Sequence, residues 1–322
     1  MNAGGMKCGW AGLGLALGLV VGAGAAQAEA LKVVHQVAVG KWPEGVAVSE
    51  RIAWVAESGA RQVAAVNLDT GAVAFRAKAG RLPVEVVADG SQVHALSHTD
   101  QRVWRLDAAR KAATVVKAVD DCPQHMDVAD GGAWVLLWKA CSSAGSSVVR
   151  VGLDGKSTRR SPELGADAWQ VAHGHGHLWV ARGKDQVTVL DAATLKPVAE
   201  VALPGRHMQI SAGPQGIYVA AQGVLNRIDP ATRAPSGQAT FAARVAAIWV
   251  DADGLAVVED GGALSRLAPV TLAVIARYES PVADLKPRAL ARDGARWLVT
   301  SHGAAGDQSE TGVLYVLAVP GA

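Results

Sequence analysis

From about residue 31 onward, short apolar runs alternate with single or paired glycine and aspartate residues, and the alternation has the two-residue period of strands. One short motif, an anchor residue that is usually aromatic followed by two small or aliphatic ones, keeps returning. It reads Trp54-Val55-Ala56, His94-Ala95-Leu96, Trp134-Val135-Leu136, Trp179-Val180-Ala181, Tyr218-Val219-Ala220, Ala256-Val257-Val258 and Trp297-Leu298-Val299. Successive anchors stand 40, 40, 45, 39, 38 and 41 residues apart, so the chain is built of seven similar units.

Other marks keep the same step. Pro43, Pro83 and Pro123 each precede an anchor by 11 residues and mark where a first strand begins. Turn signals such as Asp89-Gly90, Asp130-Gly131-Gly132, Asp253-Gly254 and Asp293-Gly294 separate first from second strands. Third strands end in Asn67-Leu68-Asp69-Thr70-Gly71, Leu190-Asp191 or Ile228-Asp229, and a fourth strand follows. Four short strands in about 40 residues make one propeller blade, so the expected fold is all-β, a single seven-bladed β-propeller over residues 29–322. The last unit has one strand too few. Leu31 to Val39 matches Leu195 to Leu203 nearly position by position, so the N-terminal strand is expected to complete the seventh blade and close the ring.

Proline at the blade entry, a Trp/Tyr-Val-Ala second strand and a Leu-Asp-x-x-Thr-Gly exit resemble the YVTN-type bacterial seven-bladed propellers, and more loosely the streptogramin-lyase-like propellers. The first resemblance implies the fold, and the expected role is a binding or interaction module. The second implies a lyase with a metal-assisted His/Glu site.

Residues 1–28 carry the marks of a cleavable export signal: Lys7, an apolar stretch from Trp10 to about Ala23, and Ala26-Gln27-Ala28 before Glu29. The stretch is shorter than the roughly 20 residues that span a bilayer, and no later run is longer, so a periplasmic protein without a membrane anchor is expected. Half of the residues are apolar and 19% are charged, which suits a large core. With 31 basic and 29 acidic residues there is no field for nucleic acid or an anionic membrane, and the expected partner is a periplasmic protein or small molecule bound to a monomer.

Alternation of strand direction places the start of each first strand and the end of each second strand on one face. The entry positions hold Glu44, Glu85, His125, Trp169, Gln170, His207 and Arg288, and the exit positions Glu57, His98, Trp138, Lys139, Arg182, Gln222, Glu259 and His302. Of these, Glu44, Glu57, His98, His125, Trp138, Arg182, His207, Arg288 and His302 are the expected binding rim. Trp42, Trp138 and Trp169 fall outside the anchor register and offer an aromatic platform, whereas the anchor tryptophans are packing residues. A rim His/Glu pair suits general-base chemistry in a lyase. His125-Met126 and His207-Met208 combine imidazole with thioether, the donor set of a divalent or soft metal in a metal or redox accessory protein, unless each Met turns inward to pack. Cys122 and Cys141 bracket the third anchor at the same rim and are expected to form a disulfide in an oxidising compartment. His173-Gly174-His175-Gly176-His177 stands where other units place a tight turn, on the opposite face. Residues 301–312 form a long exit loop of the kind that carries binding residues.

Overall fold

Glycine is placed where the hairpins need it. In the turn joining the first two strands of the third unit, Asp130 (φ 48°) and Gly131 (φ 67°) are both left-handed, as a two-residue hairpin of right-handed twist requires. His175 (φ 55°) and Gly176 (φ 73°) make the same turn in the fourth unit, so the histidine-glycine alternation serves the backbone there. The computed structural model describes residues 29–138, 145–183, 185–206, 209–302 and 311–321. Its sheets form seven blades, in each of which four consecutive strands pair antiparallel, the seventh blade excepted.

The first strands are Pro43–Ser49, Pro83–Asp89, Cys122–Ala129, Ala168–Gly174, Gln209–Gly213, Val245–Asp251 and Pro287–Asp293, and they number blades 1 to 7. Each touches the first strands of both neighbours, and the strand of blade 7 touches that of blade 1, so these seven strands form the inner wall of a ring. The core is divided accordingly into seven apolar clusters, one per blade interface. Trp54, Trp134, Trp179, Tyr218 and Trp297 are all at most 2% exposed inside these clusters, which is the packing role their register implies.

Blade 7 takes its fourth strand from the other end of the chain: Lys32–Val39 pairs antiparallel with Gly312–Ala318. The two preceding residues, Glu29–Ala30, add a short parallel strand to the edge of blade 6, beside Val274–Glu279. Leu31 sits at the crossing. Its N–H donates to Glu279 O at 3.1 Å and its side chain, 2% exposed, fills the cluster between blades 6 and 7. Leu31→Ala is therefore expected to cost about 2 kcal/mol or more, visible as a lower urea midpoint. An unchanged midpoint would mean that the crossing carries no stability.

One irregularity recurs and shapes the site. In six blades the pairing of first with second strand slips near its start, between Pro43 and Val46, Pro83 and Glu85, Pro123 and His125, Ala168 and Gln170, Val245 and Ala247, and Pro287 and Ala289. Each slip is a β-bulge, which releases a residue from the ladder and re-aims its side chain. Proline opens three of these strands and is second in that of blade 3, positions at the strand start where its missing N–H costs little.

Candidate functional site

The bulged ends surround the mouth of the central channel. The cavity there has a volume of about 530 Å³ and takes residues from all seven first strands, including Glu44, Glu85, His125, Trp169, Gln209, Ala246 and Arg288. Trp42, His98 and Trp138 complete it from the blade margins.

Glu44, Arg288 and His302 meet at the seam between blades 7 and 1. Arg288 donates from Nε (3.0 Å) and Nη2 (2.6 Å) to Glu44 Oε2, and His302 Nε2 lies 3.1 Å from Oε1. Thr300 Oγ1 donates to the Glu44 carbonyl at 3.1 Å, tying the same residue through its backbone. Burial opposes ionisation of Glu44, but the His302 hydrogen bond and the Arg288 charge outweigh it and hold the carboxyl below its ordinary value. This trio thus clasps the ring, with Glu44 and Arg288 lining the opening and His302, although expected at the rim, standing outside its lining.

Glu85 and His125 face one another from blades 2 and 3, with His125 Nε2 3.4 Å from Glu85 Oε2. The Val171 N–H of the next blade approaches His125 Nδ1 at 3.4 Å, so Nδ1 is the acceptor and the neutral ring carries its proton on Nε2. Burial pushes His125 down to about 4. It pushes Glu85 up to about 8, helped by the Asp127 and Glu44 carboxylates and opposed by the Val86 N–H. At neutral pH the pair is accordingly a carboxylic acid beside a neutral imidazole. Deeper in the wall, burial also raises Asp127, although it accepts N–H donors from His173 (2.6 Å) and Val128 (2.8 Å). His98 Nδ1 lies 2.8 Å from the Pro123 carbonyl; since a carbonyl only accepts, Nδ1 donates there.

The aromatic platform is present. Trp138 and Trp169 lie 5.6 Å apart at 40°, and the Arg206 guanidinium stands 5.4 Å over the Trp169 ring. Trp42 adds an exposed ring, 45% accessible, held with φ 52°.

Other expected rim residues go elsewhere. Glu57 is completely buried at the end of the second strand of blade 1, holding Gly40 N–H, Gln62 Nε2 and Arg76 Nε. Arg182, in the same position of blade 4, is bound to Asp167 and Thr188. Neither lines the cavity. Both stand three residues past their anchors and bond within their own sheets, whereas His98 and Trp138, four residues past theirs, reach the opening. Met126 is 1% exposed in the cluster between blades 2 and 3, so it turns away from His125, as neighbours on a strand do, and the two do not share a ligand. His207, Met208, Cys141 and most of the 301–312 loop lie outside the described residues; Cys122, 6% exposed, opens the first strand of blade 3 opposite Trp138. Among the described residues no group of three or more His, Cys, Asp or Glu side chains converges as a metal site would require.

The histidine-rich turn disperses its rings. His173 stacks on Trp134 at 4.2 Å, His175 Nε2 meets Gly213 O at 2.9 Å, and His177 meets the His175 carbonyl and Arg233. Several channel residues carry little sequence signal of their own: Gln124, Gln209 and Arg244 line the opening, and Arg206 caps its platform. The signal that finds the first two is position, within the first three residues of a first strand.

Fold and opening together define a seven-bladed propeller with a polar, aromatic-edged funnel at one end of its channel. No protein-family model matches the chain, and no curated protein matches it. Among solved structures it is similar to the crystal structure of the computationally designed Ika8 protein, with a TM-score of 0.61 and 9% identity over 85% of this chain and 82% of that one. At that identity the likeness is one of fold. No helix among the described residues is long and apolar enough to cross a membrane.

Proposed function

We propose that this protein is an exported periplasmic propeller that works as a monomeric binding module and takes a small molecule or a protein partner at the funnel mouth. One observation carries the reading: the residues at the six bulges, Glu44, Val84, Gln124, Trp169, Ala246 and Arg288, all line one opening shared by all seven blades. The signal-like residues 1–28 support export, the propeller fold supports a binding role, and a Cys122–Cys141 disulfide would brace blade 3 beside Trp138. Protein purified from periplasm is expected to begin at Glu29, and a chain still beginning at Met1 would count against cleavage. A Trp138→Ala/Trp169→Ala double variant that keeps its circular dichroism is expected to lose at least about tenfold in retention of periplasmic ligands, whereas Arg159→Ala on the opposite face is not. Equal retention by all three proteins would sink the reading.

The Glu44 to His302 contact favours a second reading, a lyase in which His302 acts as base and the ionised Glu44 orients it, with a divalent metal where the streptogramin-lyase likeness is followed. That reading ends if His302→Ala leaves a demonstrated activity intact.

A further inference from the structure

The chemistry of the ligand follows from which groups around the funnel are already committed. Arg288 is satisfied by Glu44, and Arg244 by Asp260 through two 2.8 Å contacts. Glu44 is the carboxylate of that first pair. Arg206 has no ion-pair or hydrogen-bond partner among the described residues; its guanidinium rests on the Trp169 face, and the Trp169 indole Nε1 is itself buried without an acceptor. Glu85 and His125 stand too far apart for a strong mutual bond, so an acid O–H and an imidazole N–H are both left to donate. The amides of Gln124 and Gln209 line the same wall. What is unspent is therefore one cation, several neutral donors and the flat rings of Trp42, Trp138 and Trp169, and no unspent anion stands among the described lining residues at neutral pH.

We propose that the funnel takes a ring-bearing carboxylate, with the ring against Trp138 and Trp169 and the carboxylate toward Arg206 and the donors of the channel wall. This rests on the binding reading above and narrows it. An aromatic acid and an acidic sugar both meet the description, since either presents a flat or apolar ring face beside a carboxylate. An ammonium ligand does not, because Arg206 already holds the cation position on the ring. Glu85 couples the site to pH. The groups facing it are His125 and Asp127 from blade 3, Glu44 from blade 1, and His98 on its own blade. When it ionises above about 8, the wall loses a donor and gains a negative charge beside the bound anion.

Calorimetric titration of the full exported chain with benzoate and glucuronate, against benzamide, methyl glucoside and benzylamine, tests this. One of the acids is expected to bind at least about tenfold more tightly than its uncharged counterpart, and which one does so identifies the ring. Affinity is expected to fall about tenfold from pH 7 to pH 9, Arg206→Gln to remove the preference for acids, and Glu85→Gln to abolish the fall between pH 7 and pH 9. Equal binding of neutral and acidic probes, or of acids by Arg206→Gln, overturns the proposal, as does failure of both acids to bind. If benzylamine binds and Trp138→Ala abolishes it, the ligand class is wrong and the funnel is still a binding site. If no probe binds and the retention assay above also shows no loss in the tryptophan double variant, both readings fall.

Discussion

Glu57→Leu is expected to lower the unfolding free energy by about 3 kcal/mol, the low end of what breaking a buried ion pair costs. The carboxylate is completely buried and accepts from the Gly40 N–H and Gln62 Nε2, each at 2.7 Å, and from Arg76 Nε at 3.2 Å. Leucine would strand the Gly40 N–H and the head of Gln62 in a place that water does not reach. Arg76 is 39% exposed and can turn outward, which keeps the loss from being larger. Gly40 directly follows the N-terminal strand that completes blade 7, so the same carboxylate anchors the closing segment to blade 1. Glu57→Gln retains an acceptor and should cost about half as much. Urea unfolding of both variants decides the matter, and a loss under about 1 kcal/mol for leucine would show that the buried carboxylate does not hold the seam.

Blades 4 and 6 show that the position, more than its charge, is what the fold uses. Glu259 in blade 6 accepts the Ala243 N–H and pairs with Arg277 on the outer strand, repeating Glu57 and Arg76. Blade 4 reverses the signs: Arg182 stands where the glutamates stand, Thr188 bridges it at 3.2 Å, and Glu200 occupies the outer-strand position, 3.0 Å from that hydroxyl. A structural cross-brace between the second and fourth strands accounts for both arrangements.

This is also why the sequence spoke clearly about the fold and less clearly about the site. Blade packing repeats the same physical demand seven times, so Trp54, Trp134, Trp179, Tyr218 and Trp297 fall in one register, and the strand missing at the C-terminal end has its counterpart at Lys32–Val39. Spacing along a strand fixes which face of the ring a residue reaches, and on that count Glu44, His98, His125, Trp138 and Arg288 are legible as channel residues. Glu57 and Arg182 reach the same face but stand three residues past their anchors, one short of His98 and Trp138, and their cross-strand partners hold them within their own sheets. The bulges are silent, because an extra residue in a strand needs no particular side chain; the four entry prolines hint at them, while Ala168 and Val245 do not. The fifth strand of blade 6, Glu29–Ala30, is too short to leave a pattern.

His94→Leu is expected to make the protein markedly more acid-resistant. His94 occupies the anchor register that aromatic residues fill elsewhere, is completely buried, and has neither ring nitrogen partnered. Burial, and after it the Arg105 charge, pushes it from an ordinary 6.5 down to about 4. The folded state therefore refuses a proton that the unfolded chain accepts, so the stability tied to His94 is complete above 6.5, declines as the pH falls through that value, and is fully lost below about 4. At about 1.4 kcal/mol per pH unit the loss approaches about 3 kcal/mol. His125, also lowered to about 4, follows the same curve. Glu85 runs against them: raised from 4.5 to about 8, it stays protonated in the fold where the unfolded chain has ionised, so its contribution grows as the pH falls from 8 toward 4.5. Above 6.5 Glu85 acts alone among the three and stability rises on acidification; below 6.5 two histidines outweigh one glutamate and it falls. Their sum peaks near pH 6.5. Leucine removes one of the two histidine curves, so the difference in unfolding free energy between His94→Leu and the parent should widen by about 3 kcal/mol between pH 7 and pH 4. Parallel profiles in urea across that range would mean that the imidazole is protonated in the folded state, and that the anchor site of blade 2 is open to water.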